Sequence, residues 1–372
     1  MKRKNKFLQS FLLFILFILT TVLVIALLFL FTDKNDEKPL LDINSNLYKL
    51  TELGYDEKAA NKIEELEITD VILKEGFYTN ELNESLKLDN YNHKYFEIYK
   101  FKSNITKDEE KLFDALTRKG YNTNQIADLY NSLAFYEITP LLVYDYQSDL
   151  STYFQDIEKN SAYNSNYYFY LDNSYHDLYG DTKPSENHNS LSANVSKTYY
   201  LPSDYIPGNL IQLPEPYAYT EVLMVEEAAN AFMKLVDDAS ALGYSIFANN
   251  AYRSYDYQYN LFNYYVGIDG EEIAETYSAR PGFSEHQTGL ALDVDSLDDD
   301  LSFDYFGQTK SYIWMKDVAH TYGFIQRYPN DKEDITGYIQ EEWHWRYLGV
   351  DLATKVYYSN LTYDEYFELN KE

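Results

Sequence analysis

Cysteine is absent from the chain, and glycine and proline are scarce. Without cysteine, neither a disulfide framework nor a lipid-modified cysteine can support the fold, so stability must come from packing, with bound metal as the other available support. Only 14 glycines and 9 prolines occur in 372 residues, which excludes a low-complexity linker protein and indicates folded domains.

Basic residues are also in deficit, with 31 Lys and Arg against 60 Asp and Glu and a net charge of -29. A surface of this sign repels phosphate backbones, so we expect no nucleic acid partner. The hydrophobic content of 45% over 372 residues is enough for a large core and for more than one folded unit.

The N-terminus carries an unbroken apolar run at residues 11 to 31, FLLFILFILTTVLVIALLFLF, after Lys2, Arg3, Lys4 and Lys6. The run is long enough to span a bilayer, and no A-x-A cleavage pattern follows it, so we expect an uncleaved anchor. Basic residues before the span predict a cytoplasmic N-terminus and an extracytoplasmic chain from residue 33 onward in a single-pass protein of the cell membrane. The alternative is a buried hairpin of a soluble protein.

A weak internal repeat follows, because residues 50–73 and 116–143 share the order helix, Gly-Tyr turn, helix, then EIT. Gly54 and Gly120 fit the left-handed position that ends a helix, and Asp56 and Asn122 fit the cap of the next helix. We therefore expect two helical hairpins. They could bind a ligand, but a spacer that lifts a domain off the membrane is the favoured interpretation.

A domain boundary is expected near residue 190, where the Tyr- and Asn-rich segment ends in the linker-like sequence DTKPSENHNS. The predicted domains are an anchor at 1–32, a mostly helical spacer and linker at 33–190, and a C-terminal domain at 191–372. In this last domain, helical patterns at 221–245 and 311–324 mix irregularly with strand patterns near 246 and at 343–350, which indicates an α+β fold.

Of the six histidines, His93, His176 and His188 have no acidic partner at ligand spacing and are expected at the surface, and His320 is expected to be a satisfied helix histidine rather than a ligand. The other two lie near carboxylates, His286 seven residues before Asp293 and His344 three residues after Glu341. Two histidines and one carboxylate, with a position left to water, are the usual ligands of a catalytic zinc. A further carboxylate can take a proton from the attacking water. Spacing alone leaves open that both pairs are structural.

Four segments resemble the VanY-type D-alanyl-D-alanine carboxypeptidases in order and spacing: YRSYDYQ (252–258), SARPGFSEHQTGLALDV (278–294), YGFIQRYP (322–329) and TGYIQEEWHWRYLG (336–349). The joint S-x-H-x-x-G-x-A-x-D and E-x-W-H motifs are specific, and the resemblance covers roughly residues 195 to 365. It implies an α+β zinc D-Ala-D-Ala peptidase domain, Hedgehog/DD-peptidase-like, with a small antiparallel sheet.

The resemblance also implies roles for individual residues. His286, Asp293 and His344 match the Zn²⁺ ligands, and Glu341 matches the catalytic base. Arg253 matches the arginine that binds substrate and stabilises developing negative charge. Two further residues match positions that line the substrate pocket: Gln258 and Ser284. The family usually has proline after the catalytic glutamate, whereas this chain has Glu342, so Glu341 is chosen by its three-residue distance from His344.

Strand periodicity agrees with these roles. Asp293 and Asp295 share one face of the predicted strand LALDVD with Ala291, while Leu290, Leu292 and Val294 take the other face. In WHWRYLG, His344 and Arg346 share a face opposite the aromatic residues, and Trp343 is expected to pack in the core. We do not expect Asp295 or the aspartates at 298–300 to be ligands.

The expected activity is hydrolysis of the C-terminal D-Ala from peptidoglycan stem peptides by an anchored, outward-facing enzyme. An L,D-carboxypeptidase acting on tetrapeptide stems and an endopeptidase are the enzymatic alternatives. A wall-binding protein that has lost catalysis is the alternative from another class. The joint presence of three ligands, a base and Arg253 favours an active hydrolase.

Overall fold

The computed structural model describes residues 45–162, 178–298 and 303–371. The predicted membrane span and His176 lie outside these ranges. Within them, no helix is both long and apolar enough to cross a membrane. The chain divides into two compact units after Tyr91, and each is described by itself.

The described part of the first unit is helical, with α1 (Asn46–Leu53), α2 (Glu57–Glu65), α3 (Thr69–Glu75) and α4 (Asn80–Ser85). The predicted turn between α1 and α2 is confirmed, because Gly54 has a φ of 123° and the Asp56 side chain accepts from the Ala59 N–H at 3.0 Å. Tyr55 lies buried between them. The first repeat is therefore a helical hairpin.

The second unit begins with helices α5 (Phe96–Tyr99), α6 (Lys107–Lys119), α7 (Thr123–Ser132), α8 (Phe135–Ile138) and α9 (Ser151–Ala162). Short 3₁₀ helices lie at His93–Tyr95 and Thr139–Leu142. The second predicted turn has the same form as the first: Gly120 has a φ of 113°, and the Asn122 side chain accepts from the Gln125 N–H at 3.0 Å. Both repeats thus use a positive φ glycine followed by a polar cap.

The main sheet has four antiparallel strands in the order β5-β6-β8-β7. Its strands are β5 (Ile246–Asn250), β6 (Ala291–Ser296), β7 (Phe324–Tyr328) and β8 (Glu341–Tyr347). Two short pairs precede it, a parallel one of β1 (Lys183–Pro184) with β2 (Tyr199–Tyr200) and an antiparallel one of β3 (Leu210–Gln212) with β4 (Leu223–Val225). The predicted mixture of helices with a small antiparallel sheet is confirmed.

Seven helices complete the second unit: α10 (Glu226–Ala241), α11 (Tyr255–Asp269), α12 (Glu271–Ala274), α13 (Lys310–Val318), α14 (Glu333–Thr336), α15 (Val350–Ser359) and α16 (Tyr363–Asn370). Further 3₁₀ helices lie at Glu285–Thr288, Phe303–Gln308 and Ala319–Tyr322. The helix expected from residue 221 begins at Glu226 instead, because the preceding residues pair with β3 as strand β4.

One hydrophobic core of this unit lies between α10 and one face of the sheet. Apolar residues of α10 recur at helical spacing, including Ala228, Phe232 and Leu235, and they pack with Leu292 and Trp345. The expected alternation along β6 is confirmed, because Leu290, Leu292 and Val294 are all core residues. The opposite face of the strand is therefore free for polar side chains.

The second repeat belongs to the same compact unit as the sheet. The Thr139 hydroxyl donates to Glu365 Oε1 of α16 at 2.7 Å in a buried contact, and the Tyr144 hydroxyl donates to Asp334 Oδ2 of α14 at 2.6 Å. These contacts tie the helices before residue 163 to the C-terminal part of the unit. The functional division predicted at residues 190 and 191 stays a prediction.

Candidate active site

A cleft of about 300 Å³ opens where β6 and β8 pair, and all seven predicted site residues line it: Arg253, Gln258, Ser284, His286, Asp293, Glu341 and His344. Asp293 and His344 are direct partners in the antiparallel register of β6 and β8. His286 enters from the 3₁₀ helix Glu285–Thr288, which ends at Gly289 with a φ of 67° and leads into β6. The sheet thus brings together residues that are some fifty positions apart in sequence.

Three side chains in the cleft could hold a metal ion, because ligand atoms of His286, Asp293 and His344 lie within 4.8 Å of one another. Asp293 Oδ1 lies 3.3 Å from His286 Nε2 and 3.5 Å from His344 Nδ1. Two imidazole nitrogens and one carboxylate oxygen are donors that suit zinc. The donor set therefore fits the predicted ion.

Both histidines are oriented through their second ring nitrogen. His286 Nδ1 donates to the Ala251 carbonyl at 2.6 Å, which leaves Nε2 for a metal. His344 Nε2 lies 3.3 Å from Glu285 Oε2, which leaves Nδ1 for a metal. A hydrogen bond of this kind fixes the tautomer and the ring orientation of a ligating histidine. The free nitrogens then point toward the same carboxylate oxygen.

Electrostatics in the cleft favour a cation between these groups. Burial and the nearby Arg253 guanidinium lower the pKa of His286 to about 4, which keeps its imidazole neutral as a ligand must be. For His344, burial is outweighed by hydrogen bonds to Asp293 and Glu285, which raise its pKa to about 9. The carboxylates that stabilise positive charge on His344 would also favour a bound metal cation.

Glu341 lies in the cleft, with its Oε2 3.6 Å from His344 Nδ1, and burial raises its pKa to about 7. The neighbouring Glu342 points elsewhere, because a Cβ added at Gly307 would lie 2.5 Å from Glu342 Cγ. Between the two glutamates, only Glu341 is positioned to exchange a proton with a molecule bound near His344.

The pairing of β7 with β8 is irregular beside these two glutamates. Gln326 pairs with Trp345, but Tyr328 pairs with Glu341, so β8 has two more residues than β7 over this stretch. Strict alternation would have given Glu342 and His344 the same face. In this irregular stretch the Glu341 side chain instead lines the cleft together with His344. Trp343 packs against the core, as predicted, and also lines the cleft.

Arg253 lies between β5 and α11, and its Nη2 donates to Asp293 Oδ2. Its Nε donates to Asn250 Oδ1 at 3.1 Å, and its Nη1 donates to Gln258 Oε1 at 3.4 Å. Gln258 in turn donates through Nε2 to the Ala279 carbonyl at 2.9 Å. Gln258 therefore holds the guanidinium in place, while Ser284 is a buried part of the cleft wall.

Sequence reasoning missed a buried ionic group beside the cleft, here named the arginine cluster: Glu285, Arg327, Arg346 and Asp364. Glu285 Oε1 accepts from Arg346 Nη1 at 2.7 Å and from Arg327 Nε at 2.9 Å. Arg327 also makes a bidentate pair with Asp364 at 2.7 and 2.9 Å. One signal was available, since Glu285 directly precedes His286 and Arg346 shares the His344 face of its strand.

Among the residues that the structure describes, the group of possible metal ligands does not include Asp295, Asp298 or His320. Asp298 is nevertheless buried rather than solvated like a typical charge run, because it accepts from the Ser245 N–H at 3.2 Å and from the Ser311 hydroxyl. His320 stacks on Tyr357 with ring centroids 3.9 Å apart. Neither residue belongs to the cleft.

Comparison with known proteins identifies relatives over this region. Residues 221–350 match the family model VanY, described as D-alanyl-D-alanine carboxypeptidase. The putative carboxypeptidase YodJ of Bacillus subtilis (strain 168) is 40% identical over 192 residues, which cover 50% of this chain and 70% of that protein. The bifunctional D-Ala-D-Ala dipeptidase and D-Ala-D-Ala carboxypeptidase VanXYC of Enterococcus gallinarum is 32% identical over 177 residues, covering 47% of this chain and 92% of that protein.

Among solved structures, the LdcB LD-carboxypeptidase is 40% identical, with a TM-score of 0.48 and coverage of 51% of this chain and 91% of that one. The sequence matches to YodJ and VanXYC extend over most of the length of each relative. The chain therefore belongs to the VanY D-alanyl-D-alanine carboxypeptidase family of zinc metallopeptidases and is itself a carboxypeptidase.

Proposed function

We propose that this protein is a membrane-anchored, zinc-dependent D,D-carboxypeptidase that removes the C-terminal D-Ala from peptidoglycan stem peptides. The observation that carries the proposal is the convergence of His286 Nε2, Asp293 Oδ1 and His344 Nδ1, with the Glu341 carboxyl beside them. A carboxylate next to three convergent donors is the arrangement that metal-assisted peptide hydrolysis needs.

The metal is proposed to be Zn²⁺, held by His286, Asp293 and His344. When bound, it supplies Lewis acidity toward a water molecule and the peptide carbonyl. Glu341 is the base that takes a proton from the attacking water and returns it to the leaving D-Ala amine. Its burial supports this role, because a pKa raised to about 7 suits a group that both accepts and donates a proton near neutral pH.

Arg253 is proposed to bind the substrate and to stabilise negative charge that develops on the scissile carbonyl oxygen. Its guanidinium is held by Asn250 and Gln258 and is partly exposed to the cleft. A fixed cation loses little entropy when it binds an anionic group, so Gln258 contributes by positioning. Ser284 is proposed to contact the substrate from the cleft wall.

The D,D specificity is supported by the names of relatives, which include a D-Ala-D-Ala dipeptidase and carboxypeptidase. The same site chemistry also suits an L,D-carboxypeptidase that acts on tetrapeptide stems. Assays on defined stem peptides distinguish the D,D activity from the L,D activity. The anchor is proposed from the apolar run at residues 11–31. This run would hold the enzyme on the outer side of the cell membrane, beside its substrate.

The test incubates the purified protein with defined tripeptide, tetrapeptide and pentapeptide stems, with and without a chelator, and identifies products by mass. We expect loss of one D-Ala from the pentapeptide, abolished by the chelator and restored by Zn²⁺. Cleavage of the tetrapeptide alone would assign L,D specificity, and cleavage that survives the chelator would refute the metal mechanism. Membrane association is tested separately by fractionation of cells that express the chain with and without residues 1–32.

A further inference from the structure

Two walls of the cleft come from segments that are far apart in sequence. The α12 wall is the segment 275–279, which follows α12, and the β8 wall is the segment 337–341, which leads into β8; residues of both segments line the cleft. The walls are joined directly where the Ile339 N–H donates to the Thr276 carbonyl at 2.8 Å. A second link is made by Lys197, which is not among the described residues that line the cleft.

Lys197 bridges the two walls through its ammonium group. Its Nζ donates to the Glu275 carbonyl and to the Gly337 carbonyl, each at 2.6 Å. The same Nζ lies 4.4 Å from the centroid of the Tyr338 ring, within the range of a cation–π interaction. Both carbonyls belong to the main chain, so the ammonium restrains the backbone of each wall.

The packing of the lysine stem also constrains the β8 wall. A Cβ added at Gly337 would lie 2.9 Å from Lys197 Cδ and 2.7 Å from Leu178 Cδ1, closer than side chains normally approach. Gly337 also has a φ of 74°, a conformation that favours glycine. The wall therefore has its smallest residue where the lysine stem packs against it.

The positive charge of Lys197 is costly at this position. The side chain is 3% exposed, and its pKa is lowered to about 8 by burial and by the Arg280 guanidinium, although the Glu275 carboxylate offsets part of this effect. That carboxylate accepts from Arg280. An apolar side chain could fill the same space, so the specific contribution of the ammonium is its pair of charge-assisted hydrogen bonds.

Each wall leads to a residue with a role in the proposed mechanism. On the α12 wall, the Ala279 carbonyl accepts from Gln258 Nε2 at 2.9 Å, and Gln258 holds the Arg253 guanidinium. The β8 wall ends at Glu341, whose carboxyl is the proposed base. The separation of the two carbonyls that the ammonium binds therefore affects the separation of Arg253 and Glu341.

We propose that Lys197 is a positioning residue that clamps the two walls together through their main-chain carbonyls and so fixes Arg253 relative to Glu341. The lysine contacts neither substrate nor metal in this role. The inference rests on the proposed function, because it concerns the geometry of that same reaction. It also predicts a property that does not depend on activity, since the hydrogen bond of Ile339 between the walls should open more often without the ammonium.

The first measurement compares the steady-state kinetics of full-length, zinc-loaded wild type and Lys197→Met on the stem peptide that the wild type cleaves. Methionine keeps an apolar stem but donates no hydrogen bond. We expect KM to rise about fivefold and kcat/KM to fall at least about tenfold, because displaced positioning groups are costly, with zinc affinity within a few-fold of the wild type. A smaller folded fraction would lower the apparent kcat but leave KM unchanged, so KM separates positioning from loss of folded protein.

The second measurement is hydrogen exchange of the same proteins without substrate, read by mass spectrometry on peptides that contain Ile339. Exchange should be at least about tenfold faster in Lys197→Met, because charge-assisted hydrogen bonds that hold the walls are lost. Lys183→Met is the matched control, since Lys183 is exposed and pairs with Asp181 at 2.8 Å, and it should match the wild type in both measurements. Lys197→Gln keeps a neutral donor and serves if the methionine variant does not fold; it should change KM and exchange in the same direction.

Unchanged KM in the folded variants overturns the proposal, even where exchange is faster, because the clamp would then not affect the site. Equal losses of zinc affinity and of kcat/KM also overturn it, since the whole site would then have been disturbed. If the wild type releases no D-Ala from any stem peptide, the proposed function is wrong and the positioning role falls with it, while the exchange rates still report whether the lysine joins the walls.

Discussion

The pKa of a buried carboxylate is lowered in the arginine cluster and raised in the cleft beside it. Glu285 is only 1% exposed, and burial alone would raise its pKa, but the guanidinium groups of Arg346 and Arg327 hold it well below the usual range. Glu341 is also buried, and there burial prevails and raises the pKa to about 7. The two carboxylates differ in their cationic partners far more than in their exposure.

This difference distinguishes a carboxylate that orients a histidine from a carboxylate that exchanges a proton. A carboxylate with two arginine partners keeps its charge at every relevant pH, so Glu285 can orient His344 without itself exchanging protons. A buried carboxylate without such a partner is easily protonated, so Glu341 can move a proton near neutral pH. Substitution of one carboxylate at a time should therefore separate the orienting function from proton transfer.

The largest effect is expected from Glu341→Gln. The amide keeps the shape of the side chain but does not accept a proton from water, so kcat for D-Ala release should fall about a thousandfold. Zinc affinity should stay within a few-fold, because Glu341 is not one of the three convergent ligands. Stem-peptide hydrolysis and metal content measured on the same preparation check both statements. A variant that retains kcat would remove Glu341 from the mechanism.

Glu285→Gln should lower the free energy of unfolding rather than remove a group that takes part in peptide hydrolysis. It leaves two buried guanidinium groups with one carboxylate between them, which should cost about 3 kcal/mol in the free energy of unfolding. The remaining amide oxygen is needed by the two guanidinium groups, so an NH2 group faces His344 Nε2 in place of the acceptor, and zinc affinity of the folded protein should fall roughly tenfold or more.

Asp364→Asn is the matched control for that change. It breaks the same arginine cluster through Arg327 but has no contact with His344 among the described residues. We expect a comparable loss of stability with zinc affinity unchanged. Equal losses of zinc affinity in both variants would mean that Glu285 acts only through packing, and the orienting role would then be wrong.

Asp334 is a largely buried carboxylate outside the cleft, where the effect of burial on the pKa can be measured separately. Burial raises its pKa to about 6, with the Tyr144 hydroxyl as its hydrogen-bond donor. The folded-state pKa lies above that of the unfolded chain, so this group costs stability as the pH rises from about 4 through 6. Asp334→Asn should therefore be about 2 kcal/mol more stable than the wild type at pH 8, with the difference vanishing below pH 4.

Denaturant unfolding at several pH values measures this difference. Asp351→Asn is the surface control, since its carboxylate pairs with Lys355 on an exposed stretch of α15, and its stability should follow the wild type at every pH. A wild-type advantage at pH 8 would show that the Asp334 carboxylate is stabilised by a partner that its burial does not reveal.

The sequence predicted most of the candidate site because its residues fall in two short motifs. His286, Asp293, Glu341 and His344 could be identified from spacing and resemblance, and strand alternation correctly assigned the apolar face of β6. The helical hairpins were predictable for a similar reason, since a glycine turn and a polar cap are local signals.

What the sequence did not reveal depends on contacts between distant segments. Asp364 lies 79 positions after Glu285 in sequence, and only the packing of α16 brings it to Arg327. The contact of Lys197 with both walls of the cleft is likewise invisible in sequence, because the two carbonyls that it binds lie 78 and 140 positions further along the chain. The bulge in β8 could not be predicted either, because no glycine or proline occurs between Glu341 and Trp345.

The smallest effect is expected from Glu342→Gln, which tests that bulge. Regular alternation would make Glu342 the neighbour of His344, whereas its side chain instead lies against Gly307. Because the change keeps the size of the side chain and lies outside the cleft lining, kcat and zinc affinity should change less than about twofold. Hydrolysis assays run beside Glu341→Gln check this directly. An inactive Glu342→Gln with an active Glu341→Gln would mean that β8 runs without the bulge when substrate is bound, and the catalytic base would then be the second glutamate of the pair.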